Sequence, residues 1–176
     1  HISIGGYSMG GSSAMALLRH IEKENPSDIF VDKTIIGGGI YDLTVAFEDF
    51  VKTGYAQYPA APGIIKAYDY WYNLNLDYSK VFIDPLLSNM DHWLDRTHLR
   101  DQLIEWIGQD IHKYMHPDFF SQERNPELNK IWEKMCENSL STGWTPKSRL
   151  LMSHASDDQS VPTRVATHTY EQFKSR

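Results

Sequence analysis

Residues 1–20 read "HISIGGYSMGGSSAMALLRH", and this stretch decides the fold. His1–Tyr7 alternates in polarity and is rich in β-branched residues, which predicts a strand. Ser12–Lys23 spaces its large apolar side chains as an amphipathic helix does, with Met15, Leu18 and Ile21 on one face. Only a tight turn at Ser8 separates the two patterns, so the stretch predicts a strand that reverses directly into a helix.

The turn has the pattern Gly-x-Ser-x-Gly, which is typical of a nucleophile elbow. In such an elbow the backbone of Ser8 is strained and its Oγ projects outward. We expect Gly6 and Gly10 to be glycines because side chains there would collide with neighbouring elements, and Gly11 to permit closer packing still. The backbone N–H of Met9, at the start of the new helix, is then the expected first donor to an oxyanion.

Two further strands are predicted later in the chain. Thr34–Ile36 is a short apolar run that ends in three glycines, as expected of a buried parallel strand that turns sharply. Leu150–Met152 is a second such run, and Thr145-Pro146 precedes it. The fold class predicted is α/β, with a parallel sheet of three strands and flanking helices.

Roughly a hundred residues between the second and third strands contain no convincing strand pattern. Their apolar periodicity predicts helices near residues 64–74, 93–116 and 126–136. The stretch is too long for a loop, so we expect an inserted helical cap. The predicted organisation is a core of residues 1–40, a cap of residues 41–145 and a return to the core in residues 146–176.

A polar loop, His154–Pro162, follows the third predicted strand and contains two adjacent carboxylates, Asp157 and Asp158. Where a nucleophile elbow is part of a Ser-His-Asp catalytic triad, the acid lies in the loop after a strand that is two strands beyond the elbow strand, at the carboxyl edge of the sheet. A solvated acidic pair would look the same in sequence. The residues alone leave both the role and the choice of aspartate open.

Composition excludes several classes of function. With 41% hydrophobic and 23% charged residues the chain is an ordinary globular sequence, and its net charge of −6 disfavours nucleic acid and anionic membranes as partners. No apolar run approaches the roughly 18 residues of a membrane-spanning helix. Cys136 is the one cysteine, which rules out an internal disulfide and a cysteine-based metal cluster.

Other features were weighed as sites. His112 and His116 have the i, i+4 spacing of a zinc-binding pair, but a solvated helix end explains them better, and we expect neither metal nor cofactor. A run of aromatic residues could line an acyl or aryl pocket or form the core of the cap. Its members are Tyr68, Tyr70, Trp71, Tyr72, Tyr78 and Phe82.

Four stretches resemble the α/β-hydrolase superfamily, and more narrowly the secreted bacterial lipases and esterases with a large helical lid. They are the elbow and helix "GYSMGGSSAMALLRHIEKENP" (6–26), the strand and turn "IIGGGIYDL" (35–43), the lid entry "YPAAPGIIKAYDYWYN" (58–73) and "ENSLSTGWTPKSRLLMSHASDDQSVP" (137–162). The last matches a pattern ending in H-G-x-x-D-x-x-V-P. Aligning His154 and Val161-Pro162 with it puts the acid at Asp158, and Ala155 replaces the usual glycine.

The resemblance implies a serine hydrolase that acts on a small-molecule ester or lipid through a Ser-His-Asp triad. Ser8 would be the nucleophile, Asp158 the acid and Met9 N–H an oxyanion donor, with Tyr7, Tyr41 and Val161 at the substrate pocket. A secreted or cell-envelope location is suggested only by the same resemblance. A serine peptidase or acyl-peptide hydrolase of this fold is the alternative enzyme, and a non-catalytic binding protein of the same fold is the alternative outside enzymes.

Two elements of the family pattern have no counterpart in these 176 residues. They are a histidine base on a loop after one further strand and an oxyanion amide upstream of the elbow. His168 is expected to lie away from the catalytic edge, and the resemblance gives His154 a structural place. We therefore expect a fragment of a larger enzyme, inactive by itself and prone to self-association through an exposed strand edge.

Overall fold

The computed structural model describes residues 2–24 and 26–175, so the predicted strand residue His1 lies outside the described residues. The strands are β1 (Ile2–Tyr7), β2 (Val31–Gly37) and β3 (Arg149–Ser153). They form a parallel sheet in the order β1-β2-β3. The predicted α/β fold, with three parallel strands and a helical insertion between the second and third, is confirmed.

Helices of the described residues follow β1, fill the insertion and follow β3. They are α1 (Met9–Glu24), α2 (Leu43–Thr53), α3 (Ala60–Tyr72), α4 (Leu86–Trp93), α5 (Arg100–Ile107), α6 (Pro126–Asn138) and α7 (Thr163–Lys174). Short 3₁₀ turns lie at Tyr78–Lys80, Ile111–Lys113 and Pro117–Phe120. The helices predicted near residues 64–74 and 126–136 correspond to α3 and α6, whereas α2 and α4 were not predicted.

The single helix predicted over residues 93–116 is wrong. The Asp95 carboxylate accepts hydrogen bonds from the backbone N–H and hydroxyl of Thr97, which forms a turn between α4 and α5. Gly108 has a φ of 86°, outside the helical range, and the Asp110 side chain caps a separate 3₁₀ turn. Local side-chain hydrogen bonds to the backbone therefore interrupt a continuous apolar periodicity.

The sheet is covered by helices on one face. Helix α1 packs on β1 and β2, and α7 packs on β3. On β2, Thr34 and Ile36 are completely buried, whereas Ile35 between them is 48% exposed. Leu151, the register partner of Ile35 on β3, is 60% exposed. The prediction of a buried second strand therefore holds for one face of β2 and fails for the other.

The chain divides into two compact units. The first contains residues up to Ala46 and from Asn138 onward, and it includes the sheet; the second is Phe47–Glu137 and is helical. The core of the first unit includes Met15, Leu18, Ile36 and Val165, and that of the second includes Ile65, Phe82, Leu86, Ile111 and Met135. Residues 41–46 and 138–145, which the sequence groups with the cap, lie in the first unit, and the bounds of the cap stay a prediction.

Among the described residues, none of the helices combines the length and the apolar character needed to cross a membrane.

Candidate active site

Ser8 occupies a one-residue turn between the end of β1 and the start of α1. Its φ is 55°, a left-handed conformation that non-glycine residues adopt rarely and at an energetic cost. Backbone hydrogen bonds hold it: Ser8 N–H donates to the carbonyl oxygen of Gly37 at 2.8 Å, and the carbonyl oxygen of Ser8 accepts from Gly11 N–H at 2.9 Å and from Ser12 N–H at 3.2 Å. The neighbouring strand and the first helical turn thus impose the strained backbone.

The two glycines that flank the elbow are not equivalent. A Cβ added to Gly6 would overlap the backbone carbonyl of Gly10 and lie 2.9 Å from the nitrogen of Gly11. A Cβ added to Gly10 would find nothing within 4 Å outside the helix's own backbone, so the described residues give no steric reason for glycine there, and that requirement stays a prediction. Gly11 does need its small size, because a Cβ there would lie 2.9 Å from the carbonyl oxygen of Gly37.

Met9 is the first residue of α1, and its side chain is 82% exposed. The first four N–H groups of a helix have no intrahelical acceptor, and the helix dipole makes that end favourable for negative charge. Its first turn carries no acidic side chain that would compete for those donors. An oxygen that develops negative charge beside Ser8 would therefore meet the positive end of α1.

Asp158 lies in the loop after β3, and the two oxygens of its carboxylate have different partners. Oδ1 accepts hydrogen bonds from the backbone N–H groups of Ser160 at 2.8 Å and Val161 at 3.0 Å. Oδ2 lies 3.4 Å from Nε2 of His154. The Asp158 side chain is 15% exposed, whereas Asp157 is an exposed residue of the same loop. The loop thus fixes one aspartate and leaves the other in solvent.

His154 is a buried side chain that hydrogen-bonds to the backbone of this loop. Its side chain is 5% exposed, and Nε2 lies 3.0 Å from the carbonyl oxygen of Val161, which makes Nε2–H the donor. Nδ1 is buried without a hydrogen-bond partner among the described residues. Because its Nε2 is engaged with the loop backbone, His154 is held as a packing residue of the loop after β3.

His168, on α7, has the carboxylate of Asp42 as its neighbour. Its Nε2 lies 4.0 Å from Oδ2 of Asp42, and its side chain is 35% exposed. Asp42 follows the glycine-rich turn after β2. The neighbour of His168 is therefore Asp42, within the same compact unit.

Asp42 is the centre of a buried polar cluster that the sequence analysis did not identify. Oδ2 accepts hydrogen bonds from the hydroxyls of Ser139 at 2.7 Å and Ser141 at 2.6 Å, and Oδ1 accepts from the Thr44 hydroxyl at 2.6 Å. Burial by itself raises the pKa of the Asp42 carboxyl, but these hydroxyls and the Val45 N–H together lower it below its usual value. The cluster ties the segment after β2 to the segment after α6.

Both candidate residues emerge at the carboxyl edge of the sheet. Ser8 follows the last residue of β1, Asp158 lies in the loop after β3, and β2 runs parallel between the two strands. Adjacent strands are about 4.8 Å apart, so the ends of β1 and β3 are separated by roughly 10 Å.

The three residues predicted at a substrate pocket have different environments. Tyr7 is 74% exposed, and its ring lies across the Gly37 and Gly38 backbone. Tyr41 is 1% exposed with its hydroxyl accepting a hydrogen bond from Gly39 N–H, and Val161 is 7% exposed. Contact with a substrate stays a prediction for all three, and the burial of Tyr41 and Val161 is that of packing residues.

In the helical unit, the predicted aromatic run divides between packing and a cavity. Tyr68 and Tyr72 pack against each other, and Phe82 is buried against Tyr78. Tyr70 lines a cavity of about 700 Å³ that lies wholly within this unit. Of this set, Phe82 is a core residue, Tyr68 and Tyr78 are half-buried, and Tyr70, Trp71 and Tyr72 are exposed.

The histidine pair weighed as a zinc site does not share a helical face. His112 lies in one 3₁₀ turn and stacks on Phe120 with ring centroids 3.9 Å apart. Nδ1 of His116, which caps the following 3₁₀ turn, accepts a hydrogen bond from Asp118 N–H. Both side chains thus have structural neighbours.

Comparisons with known proteins show the fold. No protein-family model and no curated protein matches the chain. Among solved structures, the rice cell wall degrading esterase LipA from Xanthomonas oryzae is similar over 99% of this chain and 48% of its own, with a TM-score of 0.78 and 21% identity. A candidate hydrolase from Legionella pneumophila is similar over 98% of this chain and 46% of its own, also with a TM-score of 0.78 and 21% identity. The chain thus spans about half the length of the solved structures it matches.

Proposed function

We propose that Ser8 is the nucleophile of a serine hydrolase acting on carboxylic esters, in a chain that has the fold of about half of an α/β-hydrolase. The observation that carries the proposal is the backbone of Ser8, whose φ of 55° is maintained between β1 and α1 by hydrogen bonds to the neighbouring strand and the helix. A structure that retains a strained serine at the carboxyl edge of a parallel sheet favours a chemical role for its Oγ.

In the proposed reaction, Ser8 Oγ attacks the ester carbonyl carbon and loses its proton to a histidine base. The carbonyl oxygen becomes an oxyanion, which the backbone N–H of Met9 stabilises at the start of α1. One such donor contributes on the order of 10²–10³ in rate. The oxyanion then collapses, and the histidine returns the proton to the ester oxygen, which leaves as an alcohol while the acyl group stays on Ser8. Water, deprotonated by the same histidine, attacks the acyl carbon; the second oxyanion collapses, Ser8 Oγ recovers the proton and the carboxylic acid is released.

Asp158 would orient that base. Its Oδ1 is held by two backbone N–H groups, so the carboxylate is fixed in orientation and Oδ2 faces the remaining neighbours. The proposal takes the base from outside residues 1–176, because His154 is engaged by the Val161 carbonyl and His168 contacts Asp42. A base from elsewhere in the protein fits a chain that spans about half of the solved esterase.

The resemblance to the Xanthomonas oryzae esterase favours ester substrates over peptides. The helical insertion between β2 and β3 also follows the elbow, whereas the peptidases weighed as an alternative usually place their extra domain before it. The exposed Tyr7, beside the elbow, is the side chain best placed to contact the substrate.

Active-site labelling of the full-length protein tests the proposal. A fluorophosphonate should form an adduct on Ser8, and Ser8→Ala should abolish both the adduct and the hydrolysis of p-nitrophenyl butyrate. Ser13→Ala is the matched control, because Ser13 lies one turn along α1 and its hydroxyl only donates to the carbonyl of Met9. Full activity of Ser8→Ala, or an adduct on another residue, would refute the assignment.

A further inference from the structure

The turn between α4 and α5 brings together three side chains that can bind a metal ion. His92 lies in the last turn of α4, and Asp95 and His98 follow at intervals of three residues. One ligand atom from each lies within 4.8 Å of the other two. Nδ1 of His92 lies 4.0 Å from Oδ2 of Asp95, and Nε2 of His98 lies 3.6 Å from Oδ1 of Asp95. All three belong to the helical unit.

After small side-chain movements, the three ligand atoms could all bind one metal ion. Three atoms no more than 4.8 Å apart have a point within about 2.8 Å of each of them. Zinc binds imidazole nitrogen and carboxylate oxygen at about 2.0–2.2 Å. Each ligand atom would therefore move by less than about 1 Å.

Asp95 is already oriented by its neighbours. Thr97 donates to Oδ1 from its hydroxyl at 2.6 Å and from its backbone N–H at 2.8 Å. Hydrogen bonds of this kind, made by the ligand's own neighbours, hold metal-binding carboxylates in place.

His98 supplies a second, independent indication. Its side chain is 15% exposed, yet its Nε2 is buried and has no hydrogen-bond partner among the described residues. Buried polar atoms are nearly always paired, so an unpaired imidazole nitrogen next to a carboxylate lacks a partner that a metal ion would provide. Trp106 of α5 packs against the rings of both His92 and His98, which limits their rotation.

One side of the cluster opens into the 700 Å³ cavity of the helical unit. Asp95 and His98 both line this cavity, together with Trp93, Tyr70 and Lys66. A zinc ion with three protein ligands keeps a fourth position for water or a small ligand, and the cavity beside Asp95 and His98 has room for one.

We propose that His92, Asp95 and His98 bind a zinc ion. Two imidazoles and one carboxylate favour zinc over calcium and magnesium, which prefer oxygen ligands. The ion would join the end of α4 to the segment that enters α5. The proposed ligands have the spacing H-x-x-D-x-x-H at residues 92–98, which is distinct from the His112 and His116 pair, and a site there would replace the expectation of no metal.

The test is zinc binding by the full-length protein after treatment with a chelator. Titration against a chromophoric zinc chelator should give one equivalent bound with micromolar or tighter affinity. His92→Ala and His98→Ala should each weaken binding at least tenfold, whereas His20→Ala, which alters an exposed histidine on α1, should leave it unchanged. Asp95→Asn keeps the acceptor for Thr97 and should weaken binding while preserving the circular dichroism spectrum.

Cobalt provides a readout that is independent of affinity. Co²⁺ added to the metal-free protein should give the visible absorption of a four-coordinate site, and His98→Ala should lose it. Binding weaker than about 100 μM, or equal binding by His92→Ala, His98→Ala and Asp95→Asn, would overturn the proposal. Ser8→Ala should bind zinc normally, so failure of the esterase proposal and failure of the metal site are distinguishable.

Discussion

Replacing Gly6 by alanine should destabilise the protein far more than the same change at Gly10. The new methyl group at Gly6 would overlap the carbonyl of Gly10 and lie 2.9 Å from the nitrogen of Gly11. These are backbone atoms of the first turn of α1, which no side-chain rotation can move. Either β1 or the helix must therefore shift, and with it the turn that holds Ser8.

The magnitude follows from the nature of the clash. Overpacking a well-packed site costs about 1–3 kcal/mol, and a clash between backbone segments belongs at the upper end, so we expect a loss of about 3 kcal/mol. With a urea m-value of about 2 kcal/mol/M, the unfolding midpoint falls by roughly 1.5 M. Gly10→Ala meets nothing within 4 Å outside its own helix, and we expect its stability within about 0.5 kcal/mol of the wild type.

Urea unfolding followed by far-ultraviolet circular dichroism measures both variants against the wild type. Fluorophosphonate labelling of the folded proteins reports separately on the elbow, and Gly6→Ala should label more slowly than Gly10→Ala. Equal unfolding midpoints for the two variants would refute the steric argument at Gly6. A large loss of stability in Gly10→Ala would refute the claim that position 10 has free space.

Two further changes test the acid loop and the buried cluster. In the full-length protein, Asp158→Asn should lower kcat for ester hydrolysis by about four orders of magnitude, and Asp157→Asn far less; a reversed order would mean that Asp157 is the acid. Asp42→Asn should lower the free energy of unfolding by about 1–3 kcal/mol at pH 7. Folding lowers the pKa of Asp42, so its contribution to the free energy of unfolding is complete above the unfolded pKa, near 3.9. That contribution is lost as the pH falls through the folded pKa. The difference in urea unfolding between Asp42→Asn and the wild type should therefore shrink toward pH 3. A difference that does not change with pH would contradict this role of the charge.

The elements that were predicted correctly are those whose conformation depends on residues close to one another in the sequence. The alternation before Ser8, the glycines around it and the helical spacing after it all lie within about 20 residues, and the structure has β1, the turn and α1 there. The parallel strand β2 and its glycine-rich end were visible for the same reason. Helix α6 was similarly evident because its apolar positions repeat within a single element.

Predictions failed where one local signal opposed another. Apolar periodicity continues through residues 93–116, but the Asp95 turn and Gly108 interrupt the helix. The same turn places His92 and His98 around Asp95, with His98 coming from the segment before α5. The H-x-x-D-x-x-H spacing is present in the sequence, but the positions of its side chains depend on where α4 ends.

By itself the sequence determined the strand–turn–helix around Ser8, the parallel strands and the insertion of helices, because each depends on short-range backbone preferences. The tertiary structure decided which glycine the elbow needs, since that depends on how closely α1 approaches β1. It also decided that Asp42 joins Ser139 and Ser141, which lie 97 and 99 residues away. Such contacts leave no periodic signal, because they depend on where two distant segments meet after the sheet has formed.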